Sequence, residues 1–290
     1  MLAAFDIGNS RVSVGVFEAE ELRAAFSLAT DVRRTAEEYC LLLDGLLAAE
    51  GVRRSEVAAA AICSVVPPLT EAFEQIAVRL FGVQALTVGA GTRTGIRIVT
   101  RNPREVGTDR VVNAVAAHHL YGGPAIVVDC STATAFDVVG LDGAYLGSAL
   151  APGLAVAAEA LFQHASRLHR VDLTVPRAVV GKDTTAALQS GLLFGHAAMV
   201  EGMVARMQAE LGWRGTTVAT GEFAPLLAGL VNGIDHVEPQ LTLVGLRVLY
   251  ELNGKKSTGG DPDDEESASG GPNGTSHAAT DFSRNPLTDR

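Results

Sequence analysis

Residues 126–139 read IVVDCSTATAFDVV. An apolar run leads into Asp129, small and hydroxyl-bearing residues follow (Cys130, Ser131, Thr132, Ala133, Thr134), and apolar residues then resume. That pattern predicts a buried strand, a tight turn and an outgoing strand. A carboxylate at the end of a buried strand needs a complement, because leaving it unpaired away from water is costly. Asp129 therefore marks a candidate site. Cys130 reads as a small apolar residue turned into the sheet.

The same arrangement stands near the N-terminus. Residues 3–17, AAFDIGNSRVSVGVF, again give an apolar strand, an aspartate (Asp6), small polar residues and an outgoing β run. The match is too short to prove duplication. It suggests an α/β fold of two similar β-α halves, each presenting an aspartate at a strand end towards a shared cleft. Strands are predicted over 2–5, 11–17, 22–29, 57–66, 85–88, 125–128, 135–139 and 216–219. Helical periodicity marks 35–49, 69–81, 108–120, 154–167, 184–211, 223–231 and 241–252, and Asp142-Gly143 is a hairpin turn signal. The halves are taken as residues 1–117 and 118–253. From 254 to 290, Gly, Ser, Asp, Pro and Thr dominate, and a segment so poor in apolar side chains is expected to be disordered.

Composition narrows the classes. With 290 residues, 47% hydrophobic and 19% charged, the chain reads as a soluble globular protein with room for a large core. A net charge of −10 argues against nucleic acid as a partner, since phosphate contacts need Lys and Arg stripes. No apolar run reaches membrane-spanning length and no basic signal region opens the chain, so no membrane partner and a cytoplasmic location are expected. Cys40, Cys63 and Cys130 are too widely spaced for a disulfide framework or a zinc site.

Four stretches carry candidate chemistry. In DIGNSRVS (Asp6, Ile7, Gly8, Asn9, Ser10, Arg11, Val12, Ser13), Gly8 permits a tight turn and the short polar arms can surround phosphate oxygens. Asp6 can there meet a cation directly or through water; the plain alternative is an ordinary β-turn. In NPREVGTDRVVNAVAA (102–117), Gly107 permits a change of direction and Thr108 is expected to cap a helix with Asp109 and Arg110 in its first turn. A carboxylate there is favoured by the helix dipole, which makes a plain helix start the alternative to a base facing a cleft. Asn113, one turn along, would share that face. In VVGKDTTAALQSGLLFG (179–195), Asp183 or Thr184 is expected to cap a long helix; Lys182 invites a phosphate-binding role, although a loop lysine is more often simply solvated. VATGEFAPLL (218–227) ends a strand in Thr220-Gly221, a turn able to pass beneath an adenine ring.

Taken in order, these stretches with SVVPPL and LGSALAPGLAVAAEAL resemble the type III pantothenate kinases, members of the actin-like, sugar-kinase-like and Hsp70-like ATPase superfamily. The resemblance runs from the first residues to about Asn253. It implies two actin-like, ribonuclease H-like halves around a cleft and ATP-dependent phosphorylation of pantothenate at its primary hydroxyl, the first step of coenzyme A synthesis. By the same resemblance Asp109 is the catalytic base, and Gly107, Thr108, Asp109 and Arg110 contact pantothenate. Asp6 to Ser13 form the ATP phosphate loop, Thr132 contacts ATP and Asp129 binds an activating monovalent cation (K⁺ or NH₄⁺). Thr184 contacts pantothenate across a dimer interface, so a homodimer is implied. ATP brings several negative charges into an acidic protein, which suits Asp6 and Asp129 acting through Mg²⁺ and K⁺.

The chain departs from the family pattern at Cys130-Ser131, Ala135, Ser148, Glu222 and Thr100. Glycine losses beside phosphate put nucleotide affinity in question more than fold. They motivate a second reading, a non-catalytic regulatory member of the same fold; a third is a kinase for another small hydroxylated acid.

Overall fold

The computed structural model describes residues 1–165 and 168–254. Its first sheet contains β1 (Leu2–Ile7), β2 (Arg11–Glu18), β3 (Glu21–Ala29), β4 (Ala59–Ser64) and β5 (Ala85–Thr87), in the order β3-β2-β1-β4-β5. β1 lies at the centre, antiparallel to β2 and parallel to β4. Successive side chains of a strand face opposite ways, and β1 is apolar on both faces. Ala3, Phe5 and Ile7 enter one core layer, whereas Leu2 and Ala4 enter another. Such a strand must be covered twice. Burying Phe5 or Ile7 alone stabilises the fold by about 1.5–3 kcal/mol.

The first layer is covered by α1 (Ala36–Ala49) and α2 (Pro67–Ile76). α1 opens with a capping box: the Thr35 hydroxyl accepts from the Glu38 N–H, and the Glu38 carboxylate accepts from the Thr35 N–H. α2 begins at Pro67, where a proline is tolerated because that N–H has no helical partner. Beyond Ile76 the helix widens into a π turn (Ala77–Phe81) that ends at Gly82.

α3 (Thr108–Tyr121) follows a long connection and is buried without a break from Val111 to Ala117. A helix apolar all round belongs in the interior, and α3 indeed contributes to core clusters of both sheets. The expected division between residues 117 and 118 falls within it.

The second sheet contains β6 (Ala125–Cys130), β7 (Ala133–Val139), β8 (Tyr145–Pro152), β9 (Thr216–Thr220) and β10 (His236–Val237), in the order β10-β9-β6-β7-β8. Taken by position along the chain, this is the strand order of the first sheet. β6 is central, antiparallel to β7 and parallel to β9. One face is covered by α4 (Leu154–His164), α5 (Thr184–Leu211) and α6 (Ala224–Ala228), while α7 (Leu241–Gly254) packs on the other beside α3. A Cβ at position 245 would lie 2.4 Å from the Val112 carbonyl oxygen, so Gly245 permits the close crossing of α7 and α3. α7 also covers the second layer of the first sheet.

Several expectations shift. β8 and β10 lie outside the strands predicted from sequence, β8 because its alternate residues are exposed and it carries Gly147 and Pro152. α6 is shorter than expected, and β1 and β6 run on to include Asp6 and Asp129. The helix expected to end at Arg167 ends at His164; Arg167 lies outside the described residues. The expected disordered tail begins one residue early, since Gly254 closes α7, and residues 255–290 lie outside the described residues.

Candidate active site

β1 and β6 deliver their aspartates to one cleft. Asp6 sits between Ser13 of β2 and Cys63 of β4, and Asp129 between Ala135 of β7 and Thr220 of β9. The cleft measures about 400 Å³ and is lined by both aspartates, by Gly8, Asn9, Ser10, Arg11 and Ser13, and by Ser131, Thr132 and Thr220 to Glu222. Ile7 and Val12 were expected among the phosphate-loop contacts, yet their side chains are wholly buried in the first core layer. Neither has any exposed surface, and their backbones are paired within the sheet, so they support the turn from beneath.

Asp129 is partly complemented by its own surroundings. Its Oδ1 accepts from the Ser131 hydroxyl and its Oδ2 from the Asn113 amide at 3.4 Å. Asn113 is itself held by the Thr242 hydroxyl of α7, which donates to Asn113 Oδ1 at 2.8 Å. Gly221, at φ +90°, packs against this group, and a Cβ there would fall 2.5 Å from Asp129 Oδ1. Burial pushes the Asp129 carboxyl up to about 6; the Ser131 hydrogen bond opposes the rise, and Asp109 and Asp137 add to it. Ser131, which stands where the family has glycine, thus turns its hydroxyl to Asp129. Cys130 is buried, as expected, and burial pushes its thiol up to about 12.

Asp6 receives no side-chain hydrogen bond among the described residues. Burial pushes its carboxyl up to about 8, with Asp129 and then Asp109 contributing. The third carboxylate, Asp109, stands in the first turn of α3, where burial raises it and the Arg110 N–H and guanidinium hold it down. The N-cap of α3 is Gly107, without a side-chain cap, so the expected capping by Thr108 is not what occurs. The Thr108 hydroxyl instead donates to the Ser64 carbonyl at the end of β4, 3.1 Å away. Asp109 Oδ1 accepts from the Arg110 N–H at 2.9 Å, and a Cβ on residue 107 would come within 2.5 Å of that oxygen. Glycine at 107 lets the carboxylate fold back over the helix start.

Two contacts join the hairpin tips across the cleft mouth. The Ser10 and Thr132 hydroxyls are 2.9 Å apart, and Arg11 Nη2 donates to Glu222 Oε1 at 2.7 Å. The ion pair is nearly half exposed on each side, so it is worth at most about 1 kcal/mol.

Among the described residues no group of three or more His, Cys, Asp or Glu is placed to hold a metal ion by itself. A model of the family described as type III pantothenate kinase matches residues 2–206. The chain belongs to the type III pantothenate kinases. A type III pantothenate kinase from Moorella thermoacetica is 46% identical over 253 residues, 87% of this chain and 100% of the relative. One from Anaeromyxobacter sp. (strain Fw109-5) is 47% identical over 253 residues, again 87% and 100%. Among solved structures, a Campylobacter jejuni protein assigned to the Baf family of transcriptional activators matches with a TM-score of 0.56 at 16% identity, covering 87% of this chain and 99% of the other. Component A of the (R)-2-hydroxyglutaryl-CoA dehydratase of Acidaminococcus fermentans matches at 0.52 and 13% identity, covering 86% and 96%. These two distant likenesses speak for the fold alone.

Against this type III kinase family pattern, the structure gathers Asp6, Asp109 and Asp129 and puts Ser10 beside Thr132. Gly107, Thr108, Asp109, Arg110 and Thr184 are not among the cleft-lining residues: the first four stand at the start of α3, and Thr184 is exposed at the start of α5, where Asp183 is the cap and accepts from the Ala186 N–H at 2.8 Å. Sequence reasoning missed Asp137, Tyr145 and Thr242. An acid inside the apolar run AFDVV, where strand periodicity demanded an inward side chain, was the signal for the first.

Proposed function

We propose that the protein transfers the γ-phosphoryl group of ATP to the primary hydroxyl of pantothenate. The observation that carries this reading is that Asp6 and Asp129 line one cleft walled by hydroxyls and turn backbone, near enough to Asp109 for its charge to act on both. Phosphoryl transfer asks little covalent work of a protein, so positioning and charge neutralisation dominate. Asp109, raised by burial, takes the proton of the attacking hydroxyl. Gly107 to Arg110 hold pantothenate. Gly8 to Ser13 and Thr132 surround the phosphates.

Asp6, a half-buried carboxylate without a side-chain donor among the described residues, fits Mg²⁺, directly or through water. Asp129 keeps lone pairs beyond those used by Ser131 and Asn113 and fits K⁺ or NH₄⁺. Bound there, the cations would neutralise phosphate charge next to three carboxylates. A homodimer in which Thr184 completes a partner's pantothenate site is part of this reading. It is supported by the exposed Val179 and Val180, whose segment is tied to α5 by the Ser190 hydroxyl donating to the Val179 carbonyl. Among the described residues no helix is long and apolar enough to cross a membrane, which agrees with a cytoplasmic enzyme.

Purified protein supplied with ATP, Mg²⁺ and K⁺ should release ADP only when pantothenate is present. Asp109→Asn should lower kcat by about a hundredfold or more while the melting temperature holds. Folded wild-type protein that is inert towards pantothenate would sink the proposal and favour the non-catalytic reading, which the Arg11–Glu222 contact across the cleft mouth motivates.

A further inference from the structure

One buried group has no place in the scheme above. Asp137 stands in the middle of β7 with no exposure, and all its donors converge on one oxygen. Oδ1 accepts from Arg110 Nε at 2.9 Å, from Arg110 Nη2 at 2.6 Å and from the Tyr145 hydroxyl at 2.6 Å. Oδ2 is buried without a partner. The Arg110 guanidinium also lies 5.9 Å from the centre of the Tyr145 ring.

Such a cluster is poor engineering for stability. Withdrawing two charges from water costs as much as their attraction returns, and an orphaned carboxylate oxygen adds to the cost. Its geometric effect is definite, however. Arg110 presents five N–H donors on a rigid plane, and Asp137 engages only two of its nitrogens. The anchored edge leaves Nη1 without a hydrogen-bond partner among the described residues, with the Arg110 side chain 14% exposed and one residue from Asp109. Tyr145 extends the same clamp to the chain leading into the site. Its N–H donates to the Arg97 carbonyl and its carbonyl accepts from the Val99 N–H, both at 2.8 Å. One tyrosine thereby ties the 97–99 segment, β8 and the Arg110 anchor together.

We propose that Asp137, assisted by the Tyr145 hydroxyl, is a positioning residue for substrate binding. It fixes the Arg110 guanidinium so that the remaining donors meet the acceptor oxygens of pantothenate next to the hydroxyl that reacts. The proposal rests on the kinase reading and adds to it the residues that determine pantothenate affinity separately from ATP affinity.

Steady-state kinetics of the full-length enzyme, with each substrate varied in turn, tests it. Asp137→Asn should raise the KM for pantothenate about tenfold or more and leave the KM for ATP within about twofold. Tyr145→Phe, which keeps the ring and removes one donor, should raise the pantothenate KM about threefold. Arg110→Lys should match Asp137→Asn, and the double variant should be little worse than either, because both remove one interaction. A merely structural role would loosen β6 and β7 together and raise both KM values, since the turn between them carries Thr132. Equal shifts in the two KM values, a change confined to kcat or to ATP, or no change at all would overturn the proposal. If Asp137→Asn does not fold, the same split is read in Tyr145→Phe. Wild-type protein without pantothenate-dependent turnover would overturn the kinase reading itself; an active wild type with unsplit KM values overturns only the role of Asp137.

Discussion

At the end of β1, Asp6 enters the cleft with no side-chain donor among the described residues; at the end of β6, Asp129 is met by Ser131 and Asn113. Strand order and the position of the aspartate in its strand are the same in the two sheets, yet one carboxyl is pushed to about 8 and the other to about 6. The Ser131 and Asn113 bonds oppose the effect of burial at Asp129, whereas at Asp6 the charges of Asp129 and Asp109 add to it. Equivalent places in a repeated architecture therefore do not carry equivalent electrostatics. The Asp129 side is partly furnished by the protein, whereas the Asp6 side has no side-chain donor among the described residues and, in the proposed reading, is completed by a cation.

The largest expected effect separates the two aspartates directly. Asp6→Asn should lower kcat/KM by about a hundredfold or more while the melting temperature of the ligand-free protein stays level or rises, since an unpaired buried carboxylate is removed. Asp129→Asn should cost about tenfold in activity, abolish the response to K⁺ and lower the melting temperature by disturbing the Ser131 and Asn113 bonds. Equal melting shifts in the two variants would break the comparison.

A second test uses pH. Both carboxyls sit above their ordinary value of 3.8, so these two groups hold more protons in the folded than in the unfolded chain between about pH 4 and 8. Their contribution to the unfolding free energy falls as pH rises through that window, against the opposite and smaller drift from His196, which burial shifts down. Without divalent cation the melting temperature should drop from pH 5 to pH 8, and Mg²⁺ should raise it more at pH 8, where it no longer competes with protons. A stabilisation by Mg²⁺ that is the same at both pH values would place the cation away from Asp6.

The smallest effect concerns Ser131. Removing its hydroxyl in Ser131→Ala should raise the K⁺ concentration for half-maximal activity about threefold and leave the Mg²⁺ requirement alone. A shift in the Mg²⁺ requirement instead would show that the two strand exits share their cations.

Much of this was legible from residues alone. Asp6 and Asp129 announced themselves because each interrupts an apolar run at a strand end, where a charge has no packing purpose. β8 was not legible: half its residues face water, and its glycine and proline look like a loop. Tyr145 and Asp137 were hidden for a different reason. Their meaning lies in a pairing between β7, β8 and the start of α3, and no local pattern reveals a contact between Asp137 and Arg110, 27 positions apart. Thr108 misled because a hydroxyl before a helix usually caps it, whereas here it reaches across to β4.

That reach has a mechanical consequence. The residue before Asp109 is fastened to the first sheet through the Ser64 carbonyl, and the residue after it to the second sheet through Asp137. Asp109 sits at the fulcrum between those two attachments. Should the hairpin tips part to admit a nucleotide, they travel on the long arms of the lever while the carboxylate at the pivot barely shifts. Opening the mouth and keeping the Asp109 carboxylate aligned are thereby made compatible motions of one body.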